Sequence, residues 1–320
     1  MMSLKPLLTL CAPSGPRARL STLIFHRVLP AQDPLFPDEV HAPRFDAICG
    51  WVREWFNVLP LDEAAARLAQ GTLPARALTM TFDDGYADNR EVAAPILQRH
   101  SLPCTFFVAT GFLDGGRMWN DTIIESMRES RLPVLDLRGL HPKLDPLDRI
   151  SLADVPSRRR AIDTVIGIAK YLPPEERHVL VEAVAARAEV APRNDLMMSS
   201  AQVRELRTMG LQVGAHTVSH PILRTLTREQ ARAEIESSKK TLEAILGEEV
   251  SVFAYPNGKP GEDYSADNVE LVREAGFRAA ASTHWGCARQ GTDLHQIPRF
   301  TPWDRSRLAF GTRLVRNMFA

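Results

Sequence analysis

Short apolar runs rich in β-forming residues recur along this chain, and an amphipathic stretch of helical periodicity separates each from the next. The runs are continuous rather than alternating, so both faces of each strand must be covered. Strands are expected at 21–25, 77–82, 104–109, 211–215, 250–255, 277–281 and 294–297. Helices are expected at 44–56, 61–70, 88–100, 199–209, 227–246 and 266–275, with a terminal helix over 303–318. About seven such units predict an α/β fold, a distorted (β/α) barrel of about seven parallel strands rather than an open sheet.

Residues 113–198 break this rhythm. They open on Gly115-Gly116, carry many Pro and Arg residues, and show helical periodicity near 157–171 and 174–190. No strand is expected there. The pattern predicts a helical insertion over about 113–198 within a single barrel domain spanning 21–320, placed as a lid or substrate-side wall. Residues 1–20 read as an N-terminal arm, irregular or skimming a membrane. Lys5 precedes a short apolar stretch broken by Pro6, a weak export signal, so a cytoplasmic location is expected. The terminal helix gathers Arg305, Arg307, Arg313 and Arg316, a basic face that suits solvent or peripheral contact with acidic lipid or polymer.

Composition narrows the classes. The 320 residues include 39 Lys+Arg and 39 Asp+Glu. Without excess positive charge the chain is a poor nucleic-acid binder. No apolar run reaches the length of a membrane-spanning helix. Cys11, Cys49, Cys104 and Cys287 form no Cys-x-x-Cys pair, which excludes a cysteine zinc ribbon and a dithiol redox motif. Their scatter fits a reducing compartment.

Two segments carry chemistry. Thr81-Phe82-Asp83-Asp84-Gly85-Tyr86 puts adjacent carboxylates at the carboxyl end of an apolar strand, where α/β barrels place catalytic groups. A turn in which both Asp residues simply bond local backbone would read the same way. Adjacent carboxylates can point differently, one to a metal and one to a proton. Gly214-Ala215-His216-Thr217-Val218-Ser219-His220 follows another strand, so its histidines share that rim. Two imidazoles and one carboxylate make a catalytic-type zinc shell with open positions.

Together these motifs resemble the polysaccharide deacetylase family, also called the NodB homology domain or carbohydrate esterase family 4. The resemblance covers roughly 20–112 and 199–300, in the family's order. It implies a barrel of about seven strands and metal-dependent removal of acetyl groups from sugars. By the resemblance, Asp83 is the general base and Asp84, His216 and His220 hold one divalent metal, Zn²⁺ first, with Co²⁺ or Ni²⁺ as alternatives. The family's Arg-Pro-Pro-Tyr-Gly motif corresponds to Ala254-Tyr255-Pro256-Asn257-Gly258, so the usual Arg is Ala254 and the usual Tyr is Asn257. A backbone N–H survives the change of side chain, so Asn257 can serve an oxyanion, with Tyr255 beside it on the substrate. The missing Arg leaves Asp83 without its usual partner, and Arg299 is the candidate to orient it. The family's acid lies in a C-terminal Leu-x-His motif that Leu294-His295 lacks. His26, ending the first strand, is the preferred acid, with His284 and His295 as alternatives.

The expected function is removal of acetyl groups from N-acetylated sugars of a poly- or oligosaccharide, in bacterial surface or exopolysaccharide metabolism. A related amidohydrolase on a non-sugar amide and a catalytically silent saccharide-binding module are the rivals. Retention of both Asp83 and Asp84 speaks against the silent module, since binding needs only the ligand.

Overall fold

The computed structural model describes residues 4–191 and 193–320. Ten strands occur among them: β1 (Arg19–Phe25), β2 (Asn57–Val58), β3 (Ala77–Phe82), β4 (Thr105–Val108), β5 (Val134–Asp136), β6 (Arg149–Ser151), β7 (Gln212–Ala215), β8 (Val252–Ala254), β9 (Ala279–Ala281) and β10 (Ala288–Arg289). The helices are α1 (Lys5–Cys11), α2 (Ala42–Trp55), α3 (Leu61–Ala69), α4 (Ala94–Arg99), α5 (Trp119–Glu129), α6 (Val155–Ala169), α7 (Pro174–Arg187), α8 (Ser200–Thr208), α9 (Arg228–Leu246), α10 (Ala266–Glu274) and α11 (Arg307–Asn317). The chain divides into two compact units, one of residues 4–31, 38–114 and 198–320, the other of 32–37 and 115–197.

In the first unit β1, β3, β4, β7, β8 and β9 run parallel in that order, β2 lies beside β3, and β10 pairs antiparallel with β1. This curled, mostly parallel sheet is the α/β barrel expected. The expected strand at 294–297 is instead a 3₁₀ turn, Leu294–Gln296. Pro298 follows it and cannot donate to a ladder. Single bridges from Ile297 to Ala281 and from Phe300 to Leu23 link the two sides of the sheet there. Phe25, Phe82 and Phe106 stand opposite one another on β1, β3 and β4, with stacked rings 5.1 and 5.0 Å apart. Their packing fixes the register in which those strands end.

Two local expectations change. The stretch 88–100 begins as a π turn, Asn89–Ala93, and only then becomes α4. Pro95 explains it, because its ring clashes with the carbonyl four residues back and it lacks an N–H. The arm is not irregular: α1 buries Leu8, and the Leu4 side chain fills the space beside Gly311 on α11 that a Cβ would need.

The second unit packs α5 against α6 and α7 around Ile123, Met127, Val165, Leu180 and Val184. It does contain strands, contrary to expectation: β5 and β6 pair antiparallel. At three residues each they are too short to leave a periodic signal. The sequence reading also lacks α5, which carries Trp119 and Asp121.

Candidate active site

The parallel register brings strand ends together. His26 follows β1, Asp83 and Asp84 follow β3, His216 follows β7 and Tyr255 follows β8, all within the first unit. Asp84 (φ 78°), Thr217 (φ 65°), His220 (φ 54°) and Asn257 (φ 57°) all have left-handed backbones. Such conformations are sparsely populated by non-glycine residues, and they cluster at functional sites. Gly85 follows at φ 90°, where an added Cβ would press on Val108 at 3.0 Å.

Asp84, His216 and His220 each offer one ligand atom, and these atoms lie within 4.8 Å of one another. His216 Nε2 is 3.5 Å and His220 Nε2 3.4 Å from the same oxygen, Asp84 Oδ1. That oxygen is buried and has no hydrogen-bond partner among the described residues. His216 Nδ1 lies 2.7 Å from the Ala254 carbonyl, to which it donates, so Nε2 is left as the free lone pair. This is the outer-sphere arrangement that orients a metal-ligating imidazole. Two imidazole nitrogens and an unpartnered carboxylate oxygen suit a divalent ion of zinc type.

The charges support those forms at Asp84 and His220. Burial alone would raise the Asp84 pKa, but contact with His216 and the charges of His220, His26 and His216 hold it well below the usual carboxylate range. Burial is the largest influence on His220 and pushes its pKa down to about 4, with His216 and His26 adding to the fall and both aspartates opposing it. His220 is therefore a neutral imidazole near pH 7, as a ligand must be. At His216 burial acts downward, and the neighbouring Asp83 and Asp84 outweigh it, so its pKa is raised.

Asp83 sits apart from that trio. Arg299 donates to it twice, from one terminal nitrogen to Oδ1 at 2.6 Å and from the other to Oδ2 at 2.8 Å. Both side chains are buried. Arg299 is itself fixed by Nε donating to the Ser282 carbonyl at 2.7 Å. Burial would raise the Asp83 pKa, yet the Arg299 and His216 charges, the Arg299 hydrogen bonds and His26 lower it overall. Asp83 Oδ2 remains 3.9 Å from His216 Nε2, so it faces the same point without joining the trio.

Asn257 is the central residue of a tight turn in which Gly258 N–H donates to the Pro256 carbonyl at 2.6 Å. This γ-turn is held by Thr283 Oγ1, which donates to the Asn257 carbonyl at 2.7 Å. The Asn257 N–H donates to no group among the described residues and stays available to a ligand. Tyr255 does not fit its expected place on the substrate. Its ring is fully buried, stacks on Tyr264 at 3.9 Å, and donates its hydroxyl to the His295 carbonyl at 3.0 Å. An apolar ring at a strand end gains more from that burial than from a wet groove.

The three histidines considered as acid separate clearly. His26 is exposed, and its charge reaches Asp83, Asp84 and His220. His284 is exposed and gives its carbonyl to the Arg299 N–H. His295 is tied to the Phe277 carbonyl through Nε2 at 2.8 Å and to Arg273 through Nδ1, so neither ring nitrogen is free.

Three residues escape sequence reasoning. Asp88 accepts from Val28 N–H and pairs with Arg27 at 2.7 Å, and Asn89 donates to the His26 carbonyl at 2.9 Å. Together they hold the loop that carries His26. Glu234, on α9, accepts from the loop between His216 and His220. Asp88 and Asn89 lie five and six residues after Asp83, a spacing that could have flagged them. Nothing in the sequence flags Glu234.

A family model described as polysaccharide deacetylase matches residues 70–134 and 179–280, more than half of the chain. A Bacillus subtilis (strain 168) protein, YxkH, which carries the name of a polysaccharide deacetylase, is 20% identical over 284 residues, covering 88% of this chain and 71% of its own. Among solved structures, the Streptococcus pyogenes deacetylase PplD in complex with acetate superposes with a TM-score of 0.62 at 18% identity, over 94% of this chain and 99% of that one. IcaB from Ammonifex degensii follows at 0.59 and 18%, over 95% and 97%. At these identities the structural matches speak to the fold.

Proposed function

This chain belongs to the polysaccharide deacetylase family, hydrolases that take acetyl groups from sugar polymers, and from that premise we propose that it is a divalent-metal-dependent N-deacetylase of a poly- or oligosaccharide. Bacterial surface or exopolysaccharide metabolism is the proposed setting. The observation that carries the metal is Asp84 Oδ1, a buried carboxylate oxygen without a partner, facing two imidazole nitrogens at 3.4 and 3.5 Å. Zn²⁺ fits that donor set best, with Co²⁺ or Ni²⁺ close behind.

Asp84, His216 and His220 would hold the ion, which supplies Lewis acidity to water and to the acetyl carbonyl. The chain's own groups do the rest. Asp83 is ionised, and its oxygens keep lone pairs beyond those given to Arg299, so it accepts the proton of the attacking water. Arg299 keeps that carboxylate aimed and charged. The Asn257 N–H donates to the oxygen that becomes negative as the carbonyl is attacked. His26 gives a proton to the departing amine nitrogen. Products are acetate and the free amino sugar, and the proton taken by Asp83 balances the one given by His26.

Acetate release from N-acetylated oligosaccharides tests the reading, with the protein stripped by a chelator and then resupplied with Zn²⁺ or Co²⁺. Release that disappears and returns with the ion supports it. Release only from a non-sugar amide would favour an amidohydrolase of other substrates. Saccharide binding without release from any acetamide would favour a silent binding module.

A further inference from the structure

His216 and His220 are joined by three residues, Thr217, Val218 and Ser219, which belong to no helix or strand. Thr217 and His220 both occupy left-handed backbone. A linker of this kind, left to itself, would sample many conformations, and His220 would point at Asp84 in few of them.

Both backbone groups of Val218, the Thr217 carbonyl and the Ser219 N–H have fixed partners. On one side, the N–H groups of Thr110 and Gly111 donate to the Thr217 and Val218 carbonyls at 3.1 and 2.8 Å. A Cβ at Gly111 would lie 2.7 Å from the Val218 oxygen, so this approach needs glycine. Within the linker, His220 N–H donates to Thr217 Oγ1 at 3.1 Å. On the other side stands one side chain. Glu234 Oε2 accepts from Val218 N–H at 2.8 Å and from Ser219 N–H at 2.9 Å, and Oε1 accepts from Ser219 Oγ at 2.6 Å. Glu234 lies seven residues into α9, a 19-residue helix with a capping box at its start and a left-handed glycine at its end. Such a helix is a rigid mount.

We propose that Glu234 is a positioning residue for the metal centre: its carboxylate clamps the 218–219 backbone so that His220 is preset against Asp84 and His216. This rests on the reading of that trio as the metal site. Glu234 contributes no atom to the Asp84, His216 and His220 cluster. It acts by removing the ordering cost that His220 would otherwise meet on ligation. Loss of such an outer partner typically weakens metal affinity by roughly ten- to a hundredfold.

The test titrates Co²⁺ into the metal-stripped full chain and follows the Co²⁺ absorption bands, with thermal unfolding of each variant measured alongside. Wild type, E234A, E234Q and H216A are compared with V203A, whose truncation lies on α8. E234A is expected to bind Co²⁺ roughly ten- to a hundredfold more weakly and with altered bands. E234Q, whose amide oxygen can still accept from the linker, is expected to recover much of the affinity. V203A is expected to lose thermal stability and keep wild-type affinity, which separates positioning from general destabilisation. E234A with wild-type affinity and spectrum, while H216A loses the ion, would overturn this inference and leave the metal site standing. Should E234A fail to fold, E234M, which fills similar space without an oxygen acceptor, takes its place, and wild-type affinity and spectrum in E234M would overturn the inference equally. A wild type with no saturable Co²⁺ site would overturn both the inference and the reading beneath it.

Discussion

Arg299 donates two hydrogen bonds to Asp83, at 2.6 and 2.8 Å, across 216 residues of chain. The position where the resembled family keeps its arginine, Ala254, is a buried alanine at the end of β8. The guanidinium has thus come from the segment that bridges β9 and β1, and it arrives in the same bidentate geometry that suits a carboxylate.

That pairing has a pH signature. The Asp83 pKa is depressed in the folded chain, so the pair's stabilisation is complete above the usual carboxylate value and is lost as pH falls through the depressed one. A base works only when ionised. Arg299→Gln leaves burial to push the Asp83 pKa upward, so the acidic limb of the pH–rate profile should move to higher pH. Removing one partner of a buried pair should also cost about 3–5 kcal/mol in denaturant unfolding. An unmoved acidic limb in a folded Arg299→Gln protein would show that Arg299 does not govern Asp83.

The metal trio predicts a stoichiometry. Elemental analysis of the wild type reconstituted with Zn²⁺ should find one equivalent of ion, and the His216→Ala, His220→Ala double variant should find essentially none. Full retention of the ion by the double variant would place the metal elsewhere.

Much of the site was legible because its residues lie in short contiguous segments. Asp83-Asp84 and His216-xxx-His220 each follow an apolar run, so strand-end placement and common rim came from pattern alone. Arg299 was legible only through an absence, the alanine at 254. Glu234 was not legible, since its partners are backbone N–H groups that carry no sequence mark. Tyr255 misled because the family motif carried it over together with Asn257, whereas its hydroxyl donates to the His295 carbonyl. In the fold, the parallel strands β1, β3, β4, β7, β8 and β9 followed from the continuous apolar runs they lie in. The β5–β6 pair did not, because two three-residue strands pair only with each other.

Asn257 separates a backbone role from a side-chain one. Glycine accepts φ 57° at least as readily and keeps the N–H, so Asn257→Gly should retain near wild-type turnover. Asn257→Val puts a β-branched residue in left-handed backbone and should lose stability by roughly 1–2 kcal/mol, with turnover falling as the turn relaxes. A large loss of kcat in Asn257→Gly would assign the work to the amide side chain instead.

His26→Ala should keep the ion and the fold but lose most turnover, because the departing amine would have no proton donor. Near wild-type rates in this variant would pass the role to His284, since both ring nitrogens of His295 are engaged.

The central claim is a division of labour between neighbours: Asp84 holds the ion and Asp83 moves the proton. It is tested most directly by measuring bound Zn²⁺ and acetate release on the same preparation of Asp83→Asn. The account predicts one equivalent of Zn²⁺ and a loss of acetate release on the order of 10² or more. An Asp83→Asn protein that has lost its Zn²⁺, or one that keeps the ion and releases acetate at the wild-type rate, would contradict it.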